Sequence, residues 1–310
     1  MKILFNYLIF PGFLFAACAG LMAGWVDRKV TARIQWRVGP PWYQNFVDIA
    51  KLAAKEVIVP ESAGITFLLA PYFGFLSVIL VSTILGNAVF SSQAGLPAGK
   101  AGFPADLIVV LYFLVVPAIA MIMGASSSKN PLASVGASRE MKLVMSYELP
   151  FILAVIAVII RCKGAIQMGG ILSYQMSHGS NLSFSSGALA FIVAVFCMQA
   201  KLGFVPFDAS EAEQEIMGGT LIEYSGLLLA IFKLTKAILV YTMPLLIIVL
   251  FWAKNLNPLA LIGKYIALLV IIILIKNTNP RLRIDQALRF FWGPMTVIAV
   301  LAVALALIGR

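Results

Sequence analysis

The sequence predicts an all-α integral membrane protein with about eight transmembrane helices, forming a single membrane domain over residues 1–310. The first observation is the composition: 61% of the residues are hydrophobic and only 12% are charged, whereas soluble domains carry about 25% charged residues. The second is a mean hydropathy of +0.98. The third is that the apolar residues lie in continuous runs of about 20, the length that an α-helix needs to cross a bilayer. The runs lack the alternation of a membrane β-barrel.

Eight such runs follow one another along the chain. We expect the first run to be a retained helix, because it is too long for a signal peptide and lacks a small-residue cleavage site. Between the first two runs, apolar residues recur at helical spacing over 46–53, which predicts a helix along the membrane surface. Residues 91–105 are rich in Gly, Ser and Pro and are expected to form an outer loop. The runs cover residues 3–26, 67–90, 106–125, 141–161, 187–204, 226–252, 259–276 and 291–308.

The charges are distributed unequally between the two sides. Fourteen of the 23 basic residues lie in the connections after the odd-numbered helices, and seven lie on the other side. The positive-inside rule therefore places these connections in the cytoplasm and both termini outside the cell membrane. Of the 13 acidic residues, 12 lie in or beside the same connections and only Asp106 lies on the outer side. Acids contribute little to orientation, so we interpret this bias as a partner surface or a protonation function. The cytoplasmic connections are 27–66, 126–140, 205–225 and 277–290.

Several classes of function are excluded by the residue inventory. Three isolated cysteines and a single histidine, His178, cannot assemble an iron–sulfur cluster, a haem pair or a zinc site, so this chain is expected to hold no cofactor or metal. His178 itself is expected to be a solvated loop residue. Neither a phosphate-binding glycine loop nor a catalytic triad is present. The net charge of +10 reflects the positive-inside bias rather than nucleic-acid binding.

An acidic segment follows the fifth apolar run. On a helix, Asp208, Glu211 and Glu215 would share one face, where close like charges raise one another's pKa and can hold protons near neutral pH. The alternative is an acidic loop that binds a basic subunit or stays solvated. The acidic residues of the segment are Asp208, Glu211, Glu213, Glu215 and Glu223.

Ionisable groups also occur inside the predicted membrane helices. If the fourth helix begins near Met141, Glu148 lies about 10 Å along it, and Glu140 lies at its entrance. In the sixth helix, Lys236 lies about 15 Å from the helix start and shares a face with Lys233. Charges inside a membrane usually mark an ion or proton path. We interpret these groups as a polar route whose cytoplasmic mouth is the acidic segment; the alternative is that static Lys–Glu pairs fix the helix packing.

Five sequence pieces, in order and spacing, resemble the membrane-anchor subunit shared by respiratory complex I, where it is the H-type subunit 1, and the energy-converting nickel–iron hydrogenases. The first piece, RVGPP, contains a Gly-Pro turn that predicts a rigid corner at the membrane surface. The resemblance covers essentially the whole chain. The pieces are RVGPP with KLAAKE (37–41, 51–56), GASRE with SYEL (136–140, 146–149), PFDASEAEQE (206–215), EYSG (223–226) and RLRIDQ (281–286).

The resemblance implies a subunit of an ion-translocating oxidoreductase that docks a peripheral electron-transfer arm and carries protons or a coupling signal. Iron–sulfur clusters and a nickel–iron site are then expected in partner subunits. Those partners are hydrogenase-like large and small subunits, a ferredoxin-like iron–sulfur subunit and antiporter-like membrane subunits. The positions that match the family's path are Glu148, Asp208, Glu211, Glu215 and Glu223. The charge and depth of the side chains add Glu140, Glu213, Lys233 and Lys236 to the expected path. The docking residues would be Arg28, Arg33, Arg37, Arg139, Arg281 and Arg283.

Two details favour the hydrogenase and formate hydrogenlyase branch over the quinone-reducing branch. Complex I subunits typically carry Asn and Arg after the first Gly-Pro, where this chain has Pro41 and Trp42. They also lack the Arg139–Glu140 ending of GASRE. The alternatives are the equivalent subunit of a quinone- or methanophenazine-reducing complex, or of a sulfur-reducing relative. A free-standing secondary transporter is less consistent with the sequence, because no inverted repeat is visible.

Overall fold

The computed structural model describes residues 2–61, 63–93 and 105–309, without the side chains of residues 2–4, 93, 213 and 214. Within these residues the secondary structure is helical and no strand occurs, which confirms the all-α prediction. The helices are α1 (Lys2–Leu8), α2 (Phe13–Ile34), α3 (Gln44–Ala53), α4 (Ile65–Gln93), α5 (Asp106–Phe113), α6 (Val116–Ser127), α7 (Pro131–Arg161), α8 (Met168–His178), α9 (Ser185–Lys201), α10 (Glu213–Ile216), α11 (Gly226–Phe251), α12 (Pro258–Thr278), α13 (Ile284–Phe290) and α14 (Thr296–Ile308).

Seven helical segments of the described residues are long and apolar enough to cross a membrane. Helix α1 with α2, α5 with α6, and α13 with α14 each make one such segment. The one remaining predicted run, the fifth (187–204), forms α9, which has 17 residues and rises about 25 Å, slightly less than the hydrocarbon core. A multi-pass membrane protein is therefore confirmed. Most of the predicted outer loop, residues 94–104, lies outside the described residues.

The fourth membrane helix begins earlier than the sequence suggested. Helix α7 starts at Pro131, ten residues before the expected Met141, because the Asn130 side chain caps it by accepting a hydrogen bond from the Leu132 backbone N–H at 2.9 Å. Proline at the first helical position favours the same start. The predicted connection 126–140 therefore shrinks to residues 128–130. Arg139 and Glu140 lie in the third turn of a helix, and Glu148 lies 17 residues from its start.

The predicted cytoplasmic connections contain more helix than expected. In 27–66, α2 continues to Ile34, and the predicted surface helix is present as α3. In 277–290, α13 continues through a π-helical turn, Phe291–Met295, into α14. In 205–225, only α10 and a short 3-10 turn, Gly219–Leu221, are helical.

Helix α11 lies at the centre of the molecule and packs against α2, α4 and α9. Its contact with α2 is close at Gly20, where a Cβ would lie 2.1 Å from the Ala237 carbonyl oxygen. Only glycine permits this approach. The contact brings the charged half of α11 beside the charged end of α2, where the candidate site lies.

Candidate functional site

A cleft of about 480 Å³ lies between α2, α3, the first turns of α11 and the connection after α9. Helix α3 closes one wall, because the Asn45 amide donates to the Leu21 carbonyl oxygen at 2.9 Å. The cleft lies at the side where α2, α9 and α12 end and α7 and α11 begin, which we call the acid-rich side. Its charged lining residues are Asp27, Arg28, Asp48, Asp208, Glu211, Lys233, Lys236, Lys276 and Arg281.

Asp208, from the PFD motif, is paired across the cleft mouth. Its carboxylate lies 2.9 Å from the Arg281 guanidinium, and the Leu282 N–H donates to the Pro206 carbonyl oxygen at 3.0 Å. These contacts join two sequence motifs that are more than 70 residues apart in the chain. The predicted acidic segment is thereby fixed to the connection between α12 and α13.

The predicted arrangement of Asp208, Glu211 and Glu215 on one helical face is wrong. The segment is helical only over α10, so Asp208 and Glu211 precede the helix, and positive φ angles at Met217, Gly218 and Gly219 end it. Glu211 pairs with Lys236 in the cleft. Glu215 pairs instead with Arg139 of α7 at 2.5 Å. The two carboxylates therefore bind bases on different helices, and the side chain of Glu213 lies outside the described residues.

Lys236 is not an uncompensated charge, because Glu211 lies against it. Lys233, one turn before it, is exposed and lines the same cleft. At the end of α12, Lys276 pairs with the buried Asp27 of α2 at 2.7 Å. The wall of the cleft therefore holds two acid–base pairs, Glu211–Lys236 and Asp27–Lys276, and the partners in each pair come from different parts of the chain.

Glu148 pairs with a residue that the sequence analysis did not select. Its carboxylate lies 2.5 Å from the Lys201 ammonium, and the Lys201 side chain is only 3% exposed. The ammonium also lies 5.4 Å from the centre of the Tyr147 ring and 5.0 Å from that of Phe151, close enough for cation–π attraction. The expected grouping of Glu148 with Lys233 and Lys236 is thus replaced by a separate pair. The sequence does contain a signal for this pair, because Lys201 is a charged residue inside the apolar run 187–204 and therefore needs a buried acidic partner.

Glu140 lies between the cleft and this second pair. It is 6% exposed, it is hydrogen-bonded by the Ser210 side chain, and it interacts electrostatically with Asp208, Glu211 and Lys236. Tyr147 lies two turns further along α7 and interacts with both Glu140 and Glu148. Ionisable side chains therefore lead from the cleft, through Glu140 and Tyr147, to Glu148 and Lys201.

Comparison with known proteins identifies the fold and the family. The family model described as NADH dehydrogenase matches residues 6–307. The chain belongs to the NADH dehydrogenase family. The H-type subunit of the NADH-quinone oxidoreductase from Anoxybacillus flavithermus is 31% identical over 88% of this chain and 84% of its own length. The H-type subunit from Dehalococcoides mccartyi strain 195 is 31% identical over 94% of this chain and 80% of its own length.

A solved structure supports the same assignment. One chain of the membrane-bound sulfane sulfur reductase, an archaeal respiratory membrane complex, superposes with a TM-score of 0.86 at 29% identity. The match covers 99% of this chain and 100% of that one. The chain is therefore an H-type membrane subunit of the complex I-like family, and the predicted family is confirmed.

In this H-type protein the EYSG motif has a structural role. The Glu223 carboxylate accepts a hydrogen bond from the Asn130 side chain, and Glu223 is not among the described residues that line the cleft. Tyr224 stacks on Phe67 with ring centres 4.2 Å apart and donates to the Phe67 carbonyl oxygen at 3.1 Å. Burial raises the pKa of the Tyr224 phenol, which keeps it a neutral donor. The motif therefore holds α11 against the start of α4.

The six predicted docking arginines divide into two groups. Arg28, Arg139 and Arg281 form ion pairs within the chain. Arg33, Arg37 and Arg283 are exposed on the acid-rich side. His178 is exposed as expected, although it is the last residue of α8 rather than a loop residue. Its imidazole stacks on Tyr174 with ring centres 4.3 Å apart.

Proposed function

We propose that this chain anchors the peripheral redox arm of an ion-translocating oxidoreductase and carries the carboxylate path that couples electron transfer to ion movement. The observation that carries the proposal is the series of ionisable side chains that leads from the ion pairs of the cleft, through Glu140 and Tyr147, to the Glu148–Lys201 pair. These groups interact electrostatically, so a proton gained or a partner exchanged at one of them changes the electrostatic field at the next. The acid-rich side would face the cytoplasm and both termini the outside.

The finer proposal is a ferredoxin-dependent, energy-converting hydrogenase. It is supported by the sequences GASRE (residues 136–140) and EAEQE (residues 211–215). It is also supported by Pro41 and Trp42, which follow the Gly39-Pro40 turn. Reduced ferredoxin would be oxidised at iron–sulfur clusters in a neighbouring subunit, and protons would be reduced at a nickel–iron site in another. This chain would supply docking arginines and the path residues, while antiporter-like membrane subunits would move the ion.

A second candidate is a sulfur-reducing complex with the same membrane architecture. It is favoured by the full-length structural match to a chain of the sulfane sulfur reductase. The membrane part would keep the same coupling role, and the peripheral catalytic subunit would reduce sulfur compounds instead of protons. The quinone-reducing relatives suggest a third acceptor at similar sequence identity.

The test is purification of the intact complex from membranes, followed by three assays with reduced ferredoxin as the electron donor. Hydrogen evolution supports the hydrogenase. Sulfide formation from a polysulfide without hydrogen evolution transfers the assignment to the sulfur reductase, and quinone reduction alone transfers it to the complex I branch. A chain that purifies alone, stably folded and transporting a solute would refute the role as a subunit.

A further inference from the structure

Two large apolar side chains on the acid-rich side combine exposure to solvent with a backbone conformation that normally belongs to glycine. Trp36 has a φ of 58° and Met217 a φ of 51°. Trp36 is 98% exposed and Met217 is 71% exposed. The left-handed conformation is unfavourable for any residue with a Cβ, and large side chains gain nothing from exposure to water. Contacts among the described residues do not explain why a large apolar side chain, rather than glycine, stands at each of these two positions.

The backbone around Trp36 is well defined. The Trp36 N–H donates to the Arg33 carbonyl oxygen at 3.2 Å and the Arg37 N–H donates to that of Ala32 at 2.7 Å. This pair of bonds is a Schellman motif, in which the position of Trp36 is usually glycine. The helix end would therefore form equally well, and with less strain, if residue 36 were glycine.

The RVGPP corner then fixes the direction in which Trp36 points. A Cβ on Gly39 would lie 3.0 Å from the Lys29 Cα, the Lys29 ammonium donates to the Gly39 carbonyl oxygen at 3.3 Å, and the Trp25 indole donates to that of Pro40 at 3.1 Å. The chain folds back against α2, which leaves Trp36 at the apex. The apex is held in place before any partner binds.

Trp36 lies too far from the hydrocarbon for a lipid contact to explain it. The apolar part of α2 ends at Val26, and ten further residues correspond to about 15 Å. The interfacial layer is only about 5–8 Å thick on each side. Surface helix α3 packs near Leu21 and Gly24, well below the apex. Trp36 therefore stands in the aqueous phase.

Met217 provides a second apex on the same side. Its loop is held by close backbone packing at two glycines. A Cβ on Gly219 would lie 2.0 Å from the Ser210 carbonyl oxygen, and a Cβ on Gly136 would lie 2.8 Å from the Thr220 nitrogen. The pairs Asp27–Lys276 and Asp208–Arg281 tie this loop, α2 and α12 to one side of the molecule.

We infer that Trp36 and Met217 are the two anchor residues that insert into apolar pockets of a water-soluble subunit seated on the acid-rich side. This deepens the proposed docking function and rests on it. Trp with neighbouring Arg is the composition of an interface hot spot, and a pre-formed apex loses little entropy on binding. Because Arg33 and Arg37 flank Trp36 and are exposed, the pocket that receives Trp36 should carry carboxylates at its rim.

The first test places a photoreactive benzophenone amino acid at position 36 in the full complex, in native membranes. We expect ultraviolet light to crosslink it to a water-soluble subunit of the same complex. The matched control is the same amino acid at Lys163, which is also exposed with a positive φ, 55°, but lies at the opposite end of α7. Crosslinks to lipid alone, or none to protein, would overturn the inference.

The second test separates anchoring from folding. Trp36→Gly removes the side chain and relieves the backbone, so the thermal stability of the chain should stay the same or rise while the arm dissociates. We expect about a tenfold or greater increase in the dissociation constant of the peripheral subunits, measured by mass photometry of the solubilised complex on dilution. Met217→Gly should act in the same direction, and Lys163→Gly should leave the dissociation constant unchanged.

The outcomes distinguish this inference from the proposal on which it rests. If the Trp36→Gly and Met217→Gly complexes bind the peripheral subunits as tightly as the wild type, these residues are not anchors, and the proposed docking function is unaffected. If the wild-type chain purifies with its membrane partners but without any water-soluble subunit, both the anchor assignment and the proposed docking function are wrong.

Discussion

The two ends of α11 bury polar groups in different ways. At the acid-rich end, α11 contributes Lys236 to a cleft in which eight of the nine charged lining residues of the described chain form acid–base pairs. At the other end, the polar partners are uncharged amides. Gln175 donates to the carbonyl oxygens of Val249 and Leu250 at 2.8 and 3.1 Å, and Asn181 donates to that of Leu250 at 2.8 Å.

The difference lies in what each set of groups can do. An amide that binds backbone carbonyls has no alternative protonation state, so it fixes the helix end permanently. A carboxylate paired with lysine in a cleft can take up a proton or exchange its partner. Asp106, on the side opposite the cleft, accepts hydrogen bonds from the Met168 N–H at 2.8 Å, at the start of α8, and from the Leu107 backbone. In the contacts of α11 described above, the groups that can change protonation state lie at the acid-rich end and the fixed amides lie at the other end.

The largest expected effect comes from removing the buried base of the second pair. Lys201→Met leaves the Glu148 carboxylate without its partner and should lower the free energy of unfolding by about 3 kcal/mol or more. The measurement is thermal denaturation of the solubilised complex. The double variant Glu148→Gln/Lys201→Met, which is neutral, should recover most of the loss. Equal stability of the single and double variants would show that the pair does not matter.

A smaller effect is expected at the amide end. Gln175→Leu removes the two bonds to the carbonyls and the bond that the Ala253 N–H donates to its side-chain oxygen at 2.9 Å. We expect a loss of about 2 kcal/mol of stability, with an unchanged number of ions moved per electron. Thermal denaturation and vesicle assays measure the two quantities. A changed ion ratio at unchanged stability would contradict the contrast between the two ends.

Glu215→Gln should alter coupling with little effect on folding. The Arg139–Glu215 pair is partly exposed, so its loss should change stability by less than about 1 kcal/mol. Ion pumping in vesicles should nevertheless fall, because the variant cannot hold a negative charge beside Arg139 of α7. Pumping equal to that of the wild type would remove Glu215 from the path.

The smallest effect is expected at the outermost pair. Arg28 and Asp48 lie 3.2 Å apart and are well exposed, so Asp48→Asn should change stability by no more than about 0.5 kcal/mol. Because salt screens exposed charges, the difference should vanish at high ionic strength. A loss as large as that of Lys201→Met would mean that depth in the site does not set the energy of a pair.

The sequence predicts the features that depend on local pattern. Continuous apolar runs predict the membrane helices, and the period over 46–53 predicts α3. The start of α7 could also be found, because Asn130 followed by Pro131 is a helix-start signal. The expected start near Met141 follows instead from the length needed to cross the bilayer, counted back from Arg161.

The partners of the charges could not be predicted in this way. Glu148 and Lys201 are 53 residues apart, and Asp27 and Lys276 are 249 residues apart. Their meeting depends on how α2, α7, α9 and α12 pack, which no local period reports. The same holds for Glu211 and Glu215, because the short length of α10 separates side chains that a longer helix would have aligned.

Glu148 is central to the proposed coupling path, and the most direct test is the number of ions moved per electron in vesicles that contain the Glu148→Gln complex. We predict that the assembled complex is retained and that electron transfer continues, while ion translocation falls at least tenfold relative to a Gln175→Leu control. An unchanged ion-to-electron ratio in the Glu148→Gln vesicles would contradict this role.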